Sequence, residues 1–228
     1  GAREIFSVDI INGCSGWVYA LKLGGDLVRT GAHKRVLVIG VEQMSVVVDY
    51  ERKDESVIFG DGAGAVLLGP GAAGEGSDFV ATIFGARGDE EVMNYKGGGS
   101  KFPASELAVR QGWNKFRMKG RQVFAFAVEK FAGLIKEVCQ LGGVELKDVA
   151  LVVPHQVNLR ILQFAAMQLD FPMDKVMITL DQYSNMTAAS CPFALDQAVQ
   201  QGKLRRGDYV VFVAFGVGLA WGAVLIKY

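Results

Sequence analysis

Two stretches of the chain pass through the same order of elements, and this repetition limits the possible folds more than any other feature. In the first stretch, a strand over Glu4–Ile11 leads into the turn Asn12-Gly13-Cys14-Ser15-Gly16 and a helical pattern from Trp17 to Arg29. A buried strand from Arg35 to Val41 follows, then the loop Phe59-Gly60-Asp61-Gly62-Ala63-Gly64 and an apolar strand, Ala65–Leu68. The second stretch gives strand Lys175–Leu180, a turn at Ser184-Asn185, helix Thr187–Gln201, and strands Tyr209–Phe215 and Leu219–Ile226. Both helices exit through a glycine, Gly31 or Gly202, into a basic segment. An internal duplication is the reading that accounts for this. Strands alternating with helices of this length predict a layered α/β fold with largely parallel sheets. The second copy carries an extra leading unit, strand Val149–Val153 and helix Val157–Leu169, whose counterpart would lie before Gly1. The first copy is therefore expected to be incomplete here, with the missing segment supplied as another chain or a cleaved piece. Three regions follow: 1–69 and 149–228 as the two related halves, and 70–148 as a connecting insertion.

The insertion holds a strand over Phe79–Gly85, a glycine-rich loop at Gly97-Gly98-Gly99 and a helix from Arg121 to Gln140. Val128, Phe131, Ile135 and Val138 recur there at helical spacing, so one side of that helix faces a core. The 18 residues Tyr209 to Ile226 carry no charge and are long enough to suggest a membrane span. Gly216, Gly218 and Gly222 interrupt them, and two buried strands joined by a glycine turn fit better. Charges balance, with 24 basic and 24 acidic residues and no basic stripe, which argues against a nucleic-acid partner. Three cysteines are too few and too odd in number for a disulfide framework, and no secretory signal opens the chain; a reducing, cytoplasmic setting is expected. No spacing of His, Cys and carboxylates suggests a metal.

Three polar residues stand at strand-to-helix junctions, where sites form in α/β sheets: Cys14, His155 and Asn185. Cys14 sits between glycines directly before a helix, whose N-terminal dipole is expected to stabilise a thiolate nucleophile. His155 follows the apolar strand and Pro154, which ends the strand and leaves the histidine at its tip. Asn185 occupies, by the repeat, the place that Cys14 holds in the first copy. A cysteine with two hydrogen-bond donors beside it is equipment for acyl transfer. Cys139 and Cys191 read as packing residues, and His33, beside Lys34, reads as solvent-exposed. The loop Phe59–Gly64 lacks the Lys and Ser/Thr of a phosphate loop and opens a strand, so it reads as a structural turn.

Taken together, Asn12-Gly13-Cys14-Ser15-Gly16-Trp17, Phe59-Gly60-Asp61-Gly62-Ala63-Gly64-Ala65, Val153-Pro154-His155-Gln156-Val157-Asn158-Leu159-Arg160 and Asn185-Met186-Thr187-Ala188-Ala189-Ser190 resemble the 3-oxoacyl-acyl-carrier-protein synthase III family of the thiolase superfamily. The resemblance spans the chain. It implies a five-layered αβαβα fold of two related halves, an absence of any cofactor, a homodimer, and a decarboxylating Claisen condensation that uses acyl-CoA and malonyl-acyl carrier protein. By the same resemblance Cys14 would carry the acyl group, with its carbonyl oxygen held by the backbone N–H groups of Cys14 and Val217. His155 and Asn185 would stabilise the enolate. Asn158 and Arg160 match positions near the pantetheine arm and the carrier surface, and Arg121 matches a carrier-docking position. The chain departs from the family pattern at Val217 and Ser184, where glycine is usual, and at Met167-Gln168, where a basic pair is common. Two rival readings use the same residues: a sibling condensing enzyme that joins other acyl thioesters, or a hydrolase. A third reading is a non-catalytic partner subunit, which would be expected to have lost Cys14, His155 or Asn185.

Overall fold

A computed structural model of the chain describes residues 4–71 and 78–228. Residues 1–3 of the first half and 72–77 of the connecting region lie outside the described residues. In chain order the elements are α1 (Gly16–Arg29), β1 (Val36–Glu42), α2 (Lys53–Ser56), β2 (Gly62–Leu68), β3 (Asp78–Ala86), β4 (Met93–Asn94), α3 (Glu106–Arg110), β5 (Arg117–Met118) and α4 (Gly120–Leu141). They continue with β6 (Val149–Pro154), α5 (Leu159–Gln168), α6 (Leu180–Tyr183), α7 (Ser190–Gln200), β7 (Tyr209–Gly216) and β8 (Ala220–Lys227). The uncharged run at the chain's end is the pair of buried strands β7 and β8, and no described helix is long and apolar enough to cross a membrane.

One sheet has the order β3-β8-β7-β6; β1 pairs with β2, and β4 with β5. Only β6 and β7 pair in parallel; β1/β2, β3/β8, β7/β8 and β4/β5 are antiparallel. The expectation of largely parallel sheets is therefore wrong for the described residues. For β7 and β8 the reason is connection length: they are joined by Val217–Leu219 alone, and a parallel neighbour needs a crossover of a dozen or more residues. Two strands read from the sequence are also absent as such. Residues 5–12 have no strand pairing, and Ile5, Phe6, Val8 and Ile11 are exposed, because no described strand lies beside them to take ladder bonds. Lys175–Leu180 reduces to a single parallel bridge between Val176 and Val152, since residues 173–175 form a 3-10 turn and α6 begins at Leu180.

Helices α4 and α5 cover one face of the four-stranded sheet, with Phe131, Ile135 and Val138 packed on Val211, Val213 and Leu225. Val128 is only half-buried, so the core-facing stripe runs instead through Val123, Phe126, Ala127 and Leu134. Helices α1 and α7 lie against the other face and beneath β1–β2, burying Trp17, Val18, Leu195, Phe212 and Val224. The described layers thus run α, β, α, β. The far face of β1–β2, with Leu37, Ile39, Val41 and Leu67, is exposed in this chain.

The inner face of β1–β2 is shaped by glycines. Gly40 and Gly64 are cross-strand partners. A Cβ on Gly40 would stand 2.8 Å from the Ala188 carbonyl oxygen, and one on Gly64 would stand 2.7 Å from the Phe193 nitrogen. Gly60 and Gly62, on the same face, meet Tyr183, Ser184 and Met186. The loop Phe59–Gly64 is thus a seat for backbone 183–193, and Asp61 ties it to the end of β1 by accepting from the Ser45 N–H and hydroxyl at 2.8 and 2.5 Å. Gly64→Val is expected to cost about 1–3 kcal/mol by overpacking, read as a lower urea midpoint. An unchanged midpoint would show that α7 does not rest on β2 this closely.

Candidate active site

Each of the three junction residues is fixed by its backbone. Cys14 lies in a 3-10 turn, Gly13–Ser15, that runs directly into α1. His155 is the residue after β6, and its N–H donates to the Val213 carbonyl at 2.8 Å, which extends the parallel pairing by one step. Asn185 forms a bridge with Phe59: its N–H donates to the Ile58 carbonyl at 2.7 Å, and its carbonyl accepts from the Gly60 N–H at 3.0 Å. All three residues line one cavity of ≈ 350 Å³, together with Asn158 and Val217. Its walls are mostly apolar, from Met44, Phe59, Met93, Phe116, Met118 and Phe124. The Phe59 and Phe116 rings meet edge to face at 5.3 Å.

Cys14 differs from expectation in its protonation. Desolvation by burial, then the charge of Glu42, push the thiol up to about 12, against a smaller lowering from its own backbone N–H. The residue retains some surface, but that surface opens on the cavity. It therefore rests as a thiol. The 3-10 turn brings two backbone amides together. A Cβ on Gly13, which has φ +52°, would stand 3.0 Å from the Val217 nitrogen, and one on Gly216 would stand 2.6 Å from the Cys14 nitrogen.

His155 is 1% exposed, and burial lowers its pKa to about 3 despite an opposing hydrogen bond with the Thr187 backbone. It is a neutral imidazole across the physiological range, with a single N–H. The Asn185 side-chain oxygen accepts from the Thr187 N–H at 2.9 Å, which leaves the amide NH2 as the end free to donate. The chain reaches Asn185 through Ser184 at φ +62°, ψ −169°, a region that is almost exclusive to glycine. The repeat is also off by three residues from the expected equivalence. Both helices start with a 3-10 turn whose first residue has positive φ, Gly13 and Thr187, so Cys14 corresponds to Ala188 and Asn185 lies outside the turn.

Arg160 and Arg121 are exposed and do not line the cavity, but Asn158 and Gly120, at the starts of α5 and α4, do. The Asn158 side chain caps α5 by accepting from the Arg160 N–H at 2.9 Å. Met167 and Gln168 are exposed on α5. Cys139 and Cys191 are buried in the two cores, and burial pushes both thiols up. His33 is half-buried rather than free in solvent, stacked on Phe6 at 5.4 Å.

Two residues near the site escaped the sequence reading. Gln156 is fully buried; its amide donates to the Pro154 and Met177 carbonyls, and its oxygen accepts from the Thr179 and Leu180 N–H groups. It clamps the end of β6 to the segment that leads to Asn185. Glu42, at the end of β1, lines the cavity, and the same strand-end rule that selected Cys14 and His155 would have found it. Among the described residues no group of three or more His, Cys, Asp and Glu side chains is arranged to hold a metal ion.

Comparison with known proteins adds an independent line. The profile for 3-oxoacyl-[acyl-carrier-protein] synthase III matches residues 8–88, and the one for the C-terminal part of the same family matches residues 139–228. A curated relative from Roseiflexus sp. (strain RS-1), beta-ketoacyl-[acyl-carrier-protein] synthase III, is 39% identical over 229 residues, covering 100% of this chain and 69% of that protein. The crystal structure of 3-oxoacyl-[acyl-carrier-protein] synthase III from Aquifex aeolicus VF5 superposes with a TM-score of 0.87 at 39% identity, over 99% of this chain and 68% of that one. The priming beta-ketosynthase of the R1128 polyketide pathway superposes with a TM-score of 0.80 at 28% identity, over 94% of this chain and 63% of that one.

Two measurements check the site. With the Cys14 thiol pushed up to about 12, its alkylation by iodoacetamide, followed by peptide mapping, is expected to rise about tenfold per pH unit between about pH 7 and 10. A plateau near neutrality would show a stabilised thiolate. Ser184→Gly is expected to raise stability by about 1 kcal/mol by removing backbone strain, seen as a higher urea midpoint; a lower midpoint would show that the serine is not strained.

Proposed function

The chain belongs to the 3-oxoacyl-[acyl-carrier-protein] synthase III family, and from that premise we propose how its residues divide the family's condensing reaction. The protein is an acyltransferase of the condensing-enzyme type, and its reaction is the decarboxylating condensation that initiates fatty-acid synthesis. Cys14 takes the acyl group from acyl-CoA as a thioester. The backbone N–H groups of Cys14 and Val217, close neighbours across the Gly13 and Gly216 contact, receive the oxygen as it becomes negative. The malonyl-bearing pantetheine arm of malonyl-acyl carrier protein then enters the same cavity. His155 and Asn185 donate to its thioester oxygen while carbon dioxide leaves, and the resulting carbanion attacks the acyl-cysteine.

The protonation states support this division. A neutral His155 and the NH2 end of Asn185 are two uncharged donors in a largely apolar cavity. Such donors gain strength as the oxygen acquires charge, so they favour the enolate over the resting thioester. The single observation that carries the reading is the convergence of Cys14, His155 and Asn185 on one apolar cavity. Asn158 is assigned to the pantetheine arm at the cavity mouth, and the exposed Arg160 and Arg121 beside it to the acidic carrier protein. The enzyme works as a homodimer in this reading and needs no cofactor. Curated synthase III relatives at 39% identity over the whole chain support the fatty-acid role.

Intact-protein mass spectrometry after incubation with acyl-CoAs of increasing chain length tests the reading. The wild type is expected to gain one acyl adduct that Cys14→Ala abolishes, and the donor giving the fastest adduct names the preferred chain. His155→Ala and Asn185→Ala are expected to keep acylation while condensation falls by about 100-fold or more. Unimpaired condensation in either variant would remove that residue from the enolate step.

A further inference from the structure

The acylation step leaves one proton unassigned. Cys14 rests as a thiol, so its proton must leave before or as the sulfur attacks, and the departing CoA sulfur must gain one. His155 is poorly placed for this, since taking the proton would put a positive charge on an imidazole that is almost wholly buried. The other ionisable side chains facing the cavity are Tyr95 and Glu42, and Glu42 is the one carboxylate among the described residues that line it.

We propose that the Glu42 carboxylate carries the Cys14 proton through acylation, a role that rests on the acyl-transfer reading above. The S–H bond of Cys14 breaks and its proton passes to Glu42. The sulfur's electron pair forms the bond to the acyl carbonyl carbon, the carbon–sulfur bond to CoA breaks, and the CoA sulfur takes the proton back from Glu42. Glu42 ends ionised, as it began, and free CoA leaves with no other reactant consumed.

The geometry supports this carrier. Glu42 ends β1, and its Oε1 accepts from the Ala188 N–H at 3.3 Å. Ala188 lies in the turn wedged between β1 and the nucleophile's own turn: its carbonyl faces Gly40, and its methyl faces Gly16, two residues from Cys14. One neutral N–H therefore holds the carboxylate at the wall of the cavity that Cys14 also lines. The two groups are electrically coupled, since the Glu42 charge helps keep the thiol protonated.

That coupling makes the test sharp, because a bystander charge and a proton carrier predict opposite signs. Glu42→Gln keeps an oxygen to accept from Ala188 but removes the charge and the basic site. Single-turnover acylation of the full chain by acetyl-CoA and octanoyl-CoA would be followed by mass spectrometry, alongside decarboxylation of malonyl-CoA. Acylation is expected to slow by about 100-fold or more with decarboxylation retained. Acylation at the wild-type rate or faster would overturn the proposal, because loss of a nearby negative charge alone eases ionisation of the thiol. Loss of acylation and decarboxylation together would also overturn it, by showing that Glu42 holds the site's shape. A wild type that forms no adduct on Cys14 would instead defeat the acyl-transfer reading on which the proposal stands.

Discussion

The site depends on backbone packed directly against backbone where the two related halves meet. Gly13 and Gly216 bring the nucleophile's turn against the β7–β8 turn, and Gly40 and Gly64 let the 187–193 segment settle on β1–β2. Any Cβ at these points would stand 3.0 Å or less from a neighbouring backbone atom, closer than van der Waals contact allows. The polar groups of the site ride on these contacts: Cys14 and Val217 on the first pair, Asn185 and Thr187 on the second. These four glycines sit where main chain, rather than side chain, must fill the space.

Burial then decides the chemistry of what has been brought together. In water a cysteine and a histidine would titrate within reach of neutrality. Here desolvation moves them apart, the thiol up to about 12 and the imidazole down to about 3, so both are uncharged at rest. An uncharged imidazole and amide suit a reaction whose charge appears at the thioester oxygen, where fixed neutral donors are most effective.

Much of this was legible in the residues. The turn around Cys14, the strand end at His155 and the buried pair β7–β8 follow from local pattern, since glycine placement and apolar runs act over a few residues; the strand read before Asn185 did not form, and α6 leads there instead. Gln156 and Glu42 were not singled out, although both lie within or at the end of segments that were read correctly. Their roles come from partners 21 to 146 residues away in sequence, Met177 in one case and Ala188 in the other. Sheet direction was misread for a related reason: alternation marks a strand but says nothing about which neighbour it will pair with.

The sequence by itself determined the main helices, the strands β1, β2, β3, β6, β7 and β8, and the family, because hydrophobic period and turn chemistry are local and four short motifs are specific; the strands read at Glu4–Ile11 and Lys175–Leu180 found no ladder to join. Only the tertiary structure decided that Cys14 corresponds to Ala188 rather than Asn185, that its thiol rests protonated, and that a carboxylate shares its cavity. Those outcomes depend on desolvation and on distances between segments far apart in the chain, and neither quantity exists until the chain has folded.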